Sequence, residues 1–156
     1  MIYLGIDPGK VCGFAVYDSD ENRVVDSHNS EPSHMMEYLE YVPDDWRVSI
    51  EMIGHYGTGM SVGKDVFHTC LLIGRMIQIA PQAKLILRKT VTGIVCNSAR
   101  ATDSNVIQAM KDQVGQPGRK KAPGPTYGVS KHAWQALAVA VAASRGADAV
   151  DFGWEE

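Results

Sequence analysis

The segment YLGIDPGKVCGFAVYD, residues 3–18, restricts the fold more than any other part of the chain. Ile2 to Ile6 is a short apolar run that stops at Asp-Pro-Gly, a turn signal in which proline sets φ and glycine frees it. Cys12 to Tyr17 follows as a second strand, and Gly13 leaves room for another backbone to approach. Two such runs joined by so short a turn read as a hairpin, with the Asp7 carboxylate at the end of its first strand.

The rest of the chain extends this start. The polar turn DSDEN leads to a third strand over 23–27. A helix is expected over 32–41, with Ser30 or Ser33 as its N-cap, and PDD at 43–45 ends it. A fourth strand covers 46–52 and carries Glu51 at its far end. Glycine-rich residues 53–63 read as a loop. Val66, Phe67, Cys70, Leu71, Ile73 and Ile77 recur at helical spacing over 66–79 and predict a helix that Pro81 stops. A fifth strand is expected over 84–87, and a helix capped by Thr102 over 103–114. Residues 115–128 are rich in Pro, Gly and Lys and read as a long functional or flexible loop. An alanine-rich last helix over 132–144 suits close packing on a sheet. Three strands as a meander, then helices alternating with strands, predict one α/β domain over 1–156 with a mixed five-stranded sheet flanked by helices.

At 156 residues the chain is long enough for a sizeable core, and no apolar run spans a bilayer. Its start is a strand with an early acid, so no secretory leader is expected. Cys12, Cys70 and Cys96 are widely spread and form no CxxC pair, which points away from a disulfide framework or zinc site and towards a reducing cytoplasm. Net charge is −3, but it is unevenly distributed. Residues 1–51 carry 3 Lys/Arg against 11 Asp/Glu, while residues 52–131 carry 11 against 3. A basic middle of that kind is either a phosphate-binding face or a set of solvated helix faces.

Asp7 closes the first strand and Glu51 the fourth. If the two strands lie parallel and adjacent, the carboxylates meet at the sheet's carboxyl edge, where ligands of open α/β sheets bind. Two acids there repel unless a cation lies between them, and carboxylate oxygens suit Mg²⁺ and Mn²⁺. The bland alternative is that Asp7 caps its turn and Glu51 merely ends a strand. His132, at the last helix's start, is a third candidate ligand; imidazole suits Mn²⁺ better than Mg²⁺. Asp103 begins its own helix, where the dipole alone would favour it.

The segments GIDPGKVCGFAVYD, SIEMIG and SKHAWQALAVAVAAS together resemble the RuvC-type Holliday-junction resolvases of the ribonuclease H-like superfamily, in particular their short phage-encoded forms. The resemblance implies a ribonuclease H-like fold and a metal-dependent endonuclease that cuts four-way or branched DNA and leaves 5′-phosphates. It also implies Mg²⁺ or Mn²⁺, two ions per site, a homodimer built on helix 66–79, and a host-cell cytoplasm for a phage protein. Asp7, Glu51 and His132 fall on the family's metal-site positions. Gln135 falls where the family has an acid; a neutral amide can coordinate a metal through its carbonyl or position a water, but supplies no charge and is no base near pH 7, so either Asp103 substitutes, or the site runs on fewer carboxylates, or a second metal binds more weakly.

Lys64, Arg100, Arg119, Lys120, Lys121 and Lys131 are the candidate phosphate contacts from the basic middle, which also holds Arg88. Tyr56 resembles the aromatic that the family inserts at the strand exchange, and stacking on an unpaired base would suit it. Competing readings are a junction-binding scaffold without catalysis, an RNA-directed nuclease of the same fold, and an ATP-binding protein of the actin and sugar-kinase type. The last needs a second phosphate loop, which the sequence lacks.

Overall fold

The computed structural model describes residues 1–54 and 62–151. β1 (Ile2–Asp7) and β2 (Cys12–Asp18) pair antiparallel around the Asp-Pro-Gly turn, with Asp7 opposite Gly13. β3 (Arg23–Ser30) adds antiparallel to β2 and runs three residues beyond its expected end at Ser27. β4 (Arg47–Met52) lies parallel to β1 on the other side, and β5 (Lys84–Leu87) parallel to β4. The order β3-β2-β1-β4-β5 is the expected meander plus parallel strands.

Because side chains alternate along a strand, β1 sends Leu4 and Ile6 to one face and Gly5 to the other. The first face is covered by α1 (Pro32–Glu40) and α2 (Lys64–Ile79), which bring Met35, Leu39, Leu72, Ile73 and Met76 onto Val16, Val48 and Ile50. Glu31, not a serine, precedes α1 as its N-cap, and Pro32 fills the first helical position, where its missing N–H costs nothing. The apolar face of α2 is rotated from its expected phase. Leu72, Ile73 and Met76 face the sheet, while Phe67, Cys70 and Leu71 lie on the exposed side. The helix carries two apolar stripes, and spacing alone does not tell which one meets the core.

The second face is covered by α3 (Arg88–Cys96), α4 (Asp103–Gln113) and α5 (Ala133–Ser144). Every residue of α5 from Ala133 to Ala143 is buried, and burial of Leu137, Val139 and Val141 stabilises the fold by about 1.5–3 kcal/mol each. Gly5 makes this contact possible: a Cβ there would stand 2.0 Å from the Ala136 carbonyl oxygen. Thr102 caps α4 through the Asn105 amide, and Asn105 answers the Thr102 N–H.

Residues 115–128 are not an open loop. They contain the hairpin of β6 (Gly118–Arg119) and β7 (Ala122–Pro123). Buried Thr126 donates its hydroxyl to the Gly115 carbonyl at 2.7 Å, and Val24 of β3 donates its N–H to Pro125 O at 2.9 Å. Val150 N–H donates to Leu85 O at 2.7 Å and so covers part of the β5 edge. All three cysteines are free thiols. No helix of the described residues is long and apolar enough to cross a membrane.

Candidate active site at the carboxyl edge of the sheet

The parallel register of β1 and β4 matches Ile6 with Ile50, so the next step sets Asp7 beside Glu51. Both lie on the face that receives α5, since Leu4, Ile6, Val48 and Ile50 all point to the other one. α5 begins directly over this edge. Gly13, opposite Asp7, has no room for a side chain: a Cβ would meet His132 C and O, each at 2.3 Å. Asn29 at the end of β3 fixes the same point. Its carbonyl accepts from Ala133 N at 3.2 Å and its amide donates to Ser130 O at 3.0 Å. The chain enters α5 through Lys131 in a left-handed conformation, φ 48°. His132 precedes the first helical residue, with its Nδ1 3.1 Å from Asp7 Oδ2.

Arg88 holds the other half of the site together. It follows Leu87, the residue paired with Met52 of β4, and so emerges at the same edge as Glu51. Its Nη1 stands 3.6 Å from Glu51 Oε1 and donates to Gln135 Oε1 at 3.3 Å, while Nη2 forms an ion pair with Asp103. One guanidinium thus collects β4, α4 and α5.

Burial pushes the Glu51 carboxyl up to about 7; the Asp7 charge adds to the rise and Arg88 opposes it. The Asp7 carboxyl is also raised by burial, against the bond and charge of His132. Burial works against the charge on Arg88, but Glu51 and Asp103 outweigh it and hold the guanidinium more firmly protonated. Two carboxylates are therefore held together in a place that disfavours their charge, with part of the compensation supplied by Arg88.

Asp7, Glu51, His132, Gln135 and Asp103 all meet at one edge, in two bonded groups. Asp7 pairs with His132; Glu51, Asp103 and Gln135 share Arg88. Among the described residues no three His, Cys, Asp or Glu side chains converge as a ready-made metal cage. The donor chemistry fits one hard divalent cation, at the Asp7 and Glu51 oxygens with the His132 imidazole alongside. It does not fit a second, because Gln135 is neutral and the Asp103 charge is already matched by Arg88.

Arg88 and Asn29 escaped the sequence reading as site residues. Arg88 stood only among the basic residues, although its place directly after β5 at the edge shared with Glu51 was a usable signal. Asn29 left none, because β3 was expected to stop before it. Lys64, Arg100, Lys120, Lys121 and Lys131 are exposed, with Lys120 and Lys121 at the tip of the β6–β7 hairpin and Arg119 in its first strand. Tyr56 lies outside the described residues.

A three-strand antiparallel meander continued by two parallel strands, with helices on both faces and acids at the β1 and β4 ends, defines a ribonuclease H-like fold. No protein-family model and no curated protein matches the chain. Among solved structures, the RuvC of Thermus thermophilus in complex with a Holliday junction substrate is similar to it, with a TM-score of 0.65 at 16% identity, covering 92% of this chain and 93% of that one. A structure of Thermus thermophilus RuvC gives a TM-score of 0.62 at 18% identity over 96% and 99% of the two chains.

Proposed function

We propose that the protein is a metal-dependent endonuclease that cuts phosphodiesters of four-way or branched DNA and leaves 5′-phosphates. The observation that carries this reading is the side-by-side placement of Asp7 and Glu51 at the carboxyl edge of β1 and β4, beneath the start of α5. The likeness to a RuvC solved with a Holliday junction supports the choice of substrate.

Asp7 and Glu51 would hold a divalent ion, Mg²⁺ or Mn²⁺, which supplies Lewis acidity and an activated water when bound. His132 keeps Asp7 oriented through its Nδ1 bond, as a partner of a ligating carboxylate does. Burial of both carboxylates keeps bulk water from competing for the same oxygens. A cleft between the Gly9–Lys10 turn and α2 is lined by Lys10, Lys64 and Arg75 together with Asp65, Leu71 and Leu72, and its three cations would meet a phosphate backbone on the side away from Leu71. The hairpin offers Lys120 and Lys121 to a second stretch of duplex. A two-fold-symmetric junction calls for two sites, and exposed Phe67 and Leu71 of α2 are the apolar pair on which two copies would meet. Met76 of the same helix is fully buried in the core and belongs to the fold.

The test is cleavage of an end-labelled synthetic four-way junction in Mg²⁺ or Mn²⁺. Paired, religatable nicks are expected, with Asp7→Asn losing about 1,000-fold in rate while still binding the junction. Binding without cutting in both metals would favour the second reading, a junction scaffold, for which neutral Gln135 is the specific support. A preference for structured RNA in competition would favour the RNA-directed alternative.

A further inference from the structure

We propose that Arg88 takes the place of a second metal ion, so that the site works with one divalent cation and one built-in organic cation. This rests on the nuclease reading above and specifies its charge arrangement.

A two-ion phosphodiester site needs carboxylates for both ions, one ion serving the attacking oxygen and the other the leaving one. Here the side of the site facing α4 and α5 has been reassigned. Gln135 contributes an amide oxygen, which Arg88 uses at 3.3 Å. Asp103 contributes its charge to Nη2 of the same guanidinium. Glu51 lies 3.6 Å from Nη1. The three groups that would surround a second ion surround a guanidinium instead.

The exchange is internally consistent. An acid at position 135 would add a negative charge beside Glu51 and Asp103, but Arg88 would still fill the space between them that a second ion needs. With glutamine there, Arg88 pairs with Asp103, stands 3.6 Å from Glu51 and still has an uncharged acceptor in Gln135. Guanidinium also has the chemistry for that place. It is permanently charged, and its planar fork can donate two hydrogen bonds to phosphate oxygens. Arg88 is partly exposed, and Asp103 and Gln135 hold it from the two helices that flank the opening. It is therefore positioned to meet charge developing on a phosphate at the edge of the sheet.

The experiment counts Mn²⁺ by the paramagnetic resonance of the free ion, on the full chain with a four-way junction present. The wild-type protein and the Gln135→Asp variant, which keeps Arg88, should each hold one tight Mn²⁺. The double variant Arg88→Ala with Gln135→Asp should hold two. Two ions on the wild type or on Gln135→Asp, or one on the double variant, would overturn the proposal. No tight Mn²⁺ on any of them would sink the nuclease reading itself. Single-turnover cleavage at saturating Mn²⁺ gives an independent readout: Arg88→Ala should be about 100-fold slower and Arg88→Lys within about 10-fold of wild type. Equal rates for Arg88→Ala and wild type would also overturn it.

Discussion

Gly13 lies beneath His132 with no space for a side chain, a Cβ there standing 2.3 Å from the His132 carbonyl carbon. The close approach sets α5 over the end of β1, where Asp7 meets the imidazole. Gly13→Ala should therefore lift the start of α5 off the strand. We expect a stability loss of about 1–3 kcal/mol by urea unfolding, as for other insertions into packed contacts. Junction cleavage should fall further than that loss explains, because more than 95% of the variant remains folded at 25 °C if several kcal/mol of stability are left. A variant with full cleavage would show that the Asp7–His132 placement does not matter to the reaction.

Glu51 makes the metal-free protein's stability depend on pH. Its carboxyl titrates near 7 in the fold against an ordinary 4.5. Between those values the folded chain keeps a proton that the unfolded chain has released. Stability is full below about 4.5, falls as pH rises towards 7, and is level above. The ceiling on the effect is about 3 kcal/mol, from ~1.4 kcal/mol per pKa unit. The raised Asp7 carboxyl acts in the same direction. Urea unfolding in EDTA at pH 5 and pH 8 checks this. Glu51→Gln should flatten the profile and exceed the parent's stability at pH 8; a parallel profile for the two proteins would count against it.

Asn29 ties the end of β3 to the first turn of α5. Asn29→Ala removes the side-chain acceptor for Ala133 N–H and the donor to Ser130 O. The expected loss is about 1 kcal/mol in thermal or urea unfolding, the usual cost of a lost helix cap. Asn29→Asp keeps the acceptor and should recover most of it. No difference between the alanine and aspartate variants would mean that water replaces the cap.

Lys120 and Lys121 project from a hairpin that is itself held by Thr126 and by Val24 of β3. Replacing both with alanine should weaken junction binding without altering Mn²⁺ affinity. The slope of log affinity against log salt should shrink by about 0.9 for each lysine that touches a phosphate. An unchanged slope would leave them as solvated surface charges.

The sheet was legible because its signals are local. Alternation, the Asp-Pro-Gly turn and the Thr102 cap each act within a few residues, and the structure contains the meander and the α4 capping box they imply. α3 was not legible: RKTVTGIVC is nine residues of mainly β-branched side chains around a glycine, a composition with weak helical preference. It is helical because Val91 and Val95 find the core under α5. The hairpin at 118–123 was hidden for a related reason, since its hold comes from Val24 and Thr126 rather than from its own turn. In the site, Asp7 and Glu51 could be paired from strand ends alone. The Arg88 cluster needed the positions of β5, α4 and α5 together, which no spacing along the chain encodes.

α5 is built almost wholly from side chains that have nowhere to turn. Alanine has no rotamers, and between Gly5 and the Ala136 backbone there is not even a methyl group to shift. The groups at its head are thus mounted on a rigid bracket instead of a hinge, and adaptation at this edge falls to whatever binds there. A stiff site of that kind discriminates by deformability: it favours the partner that can bend to it at least cost.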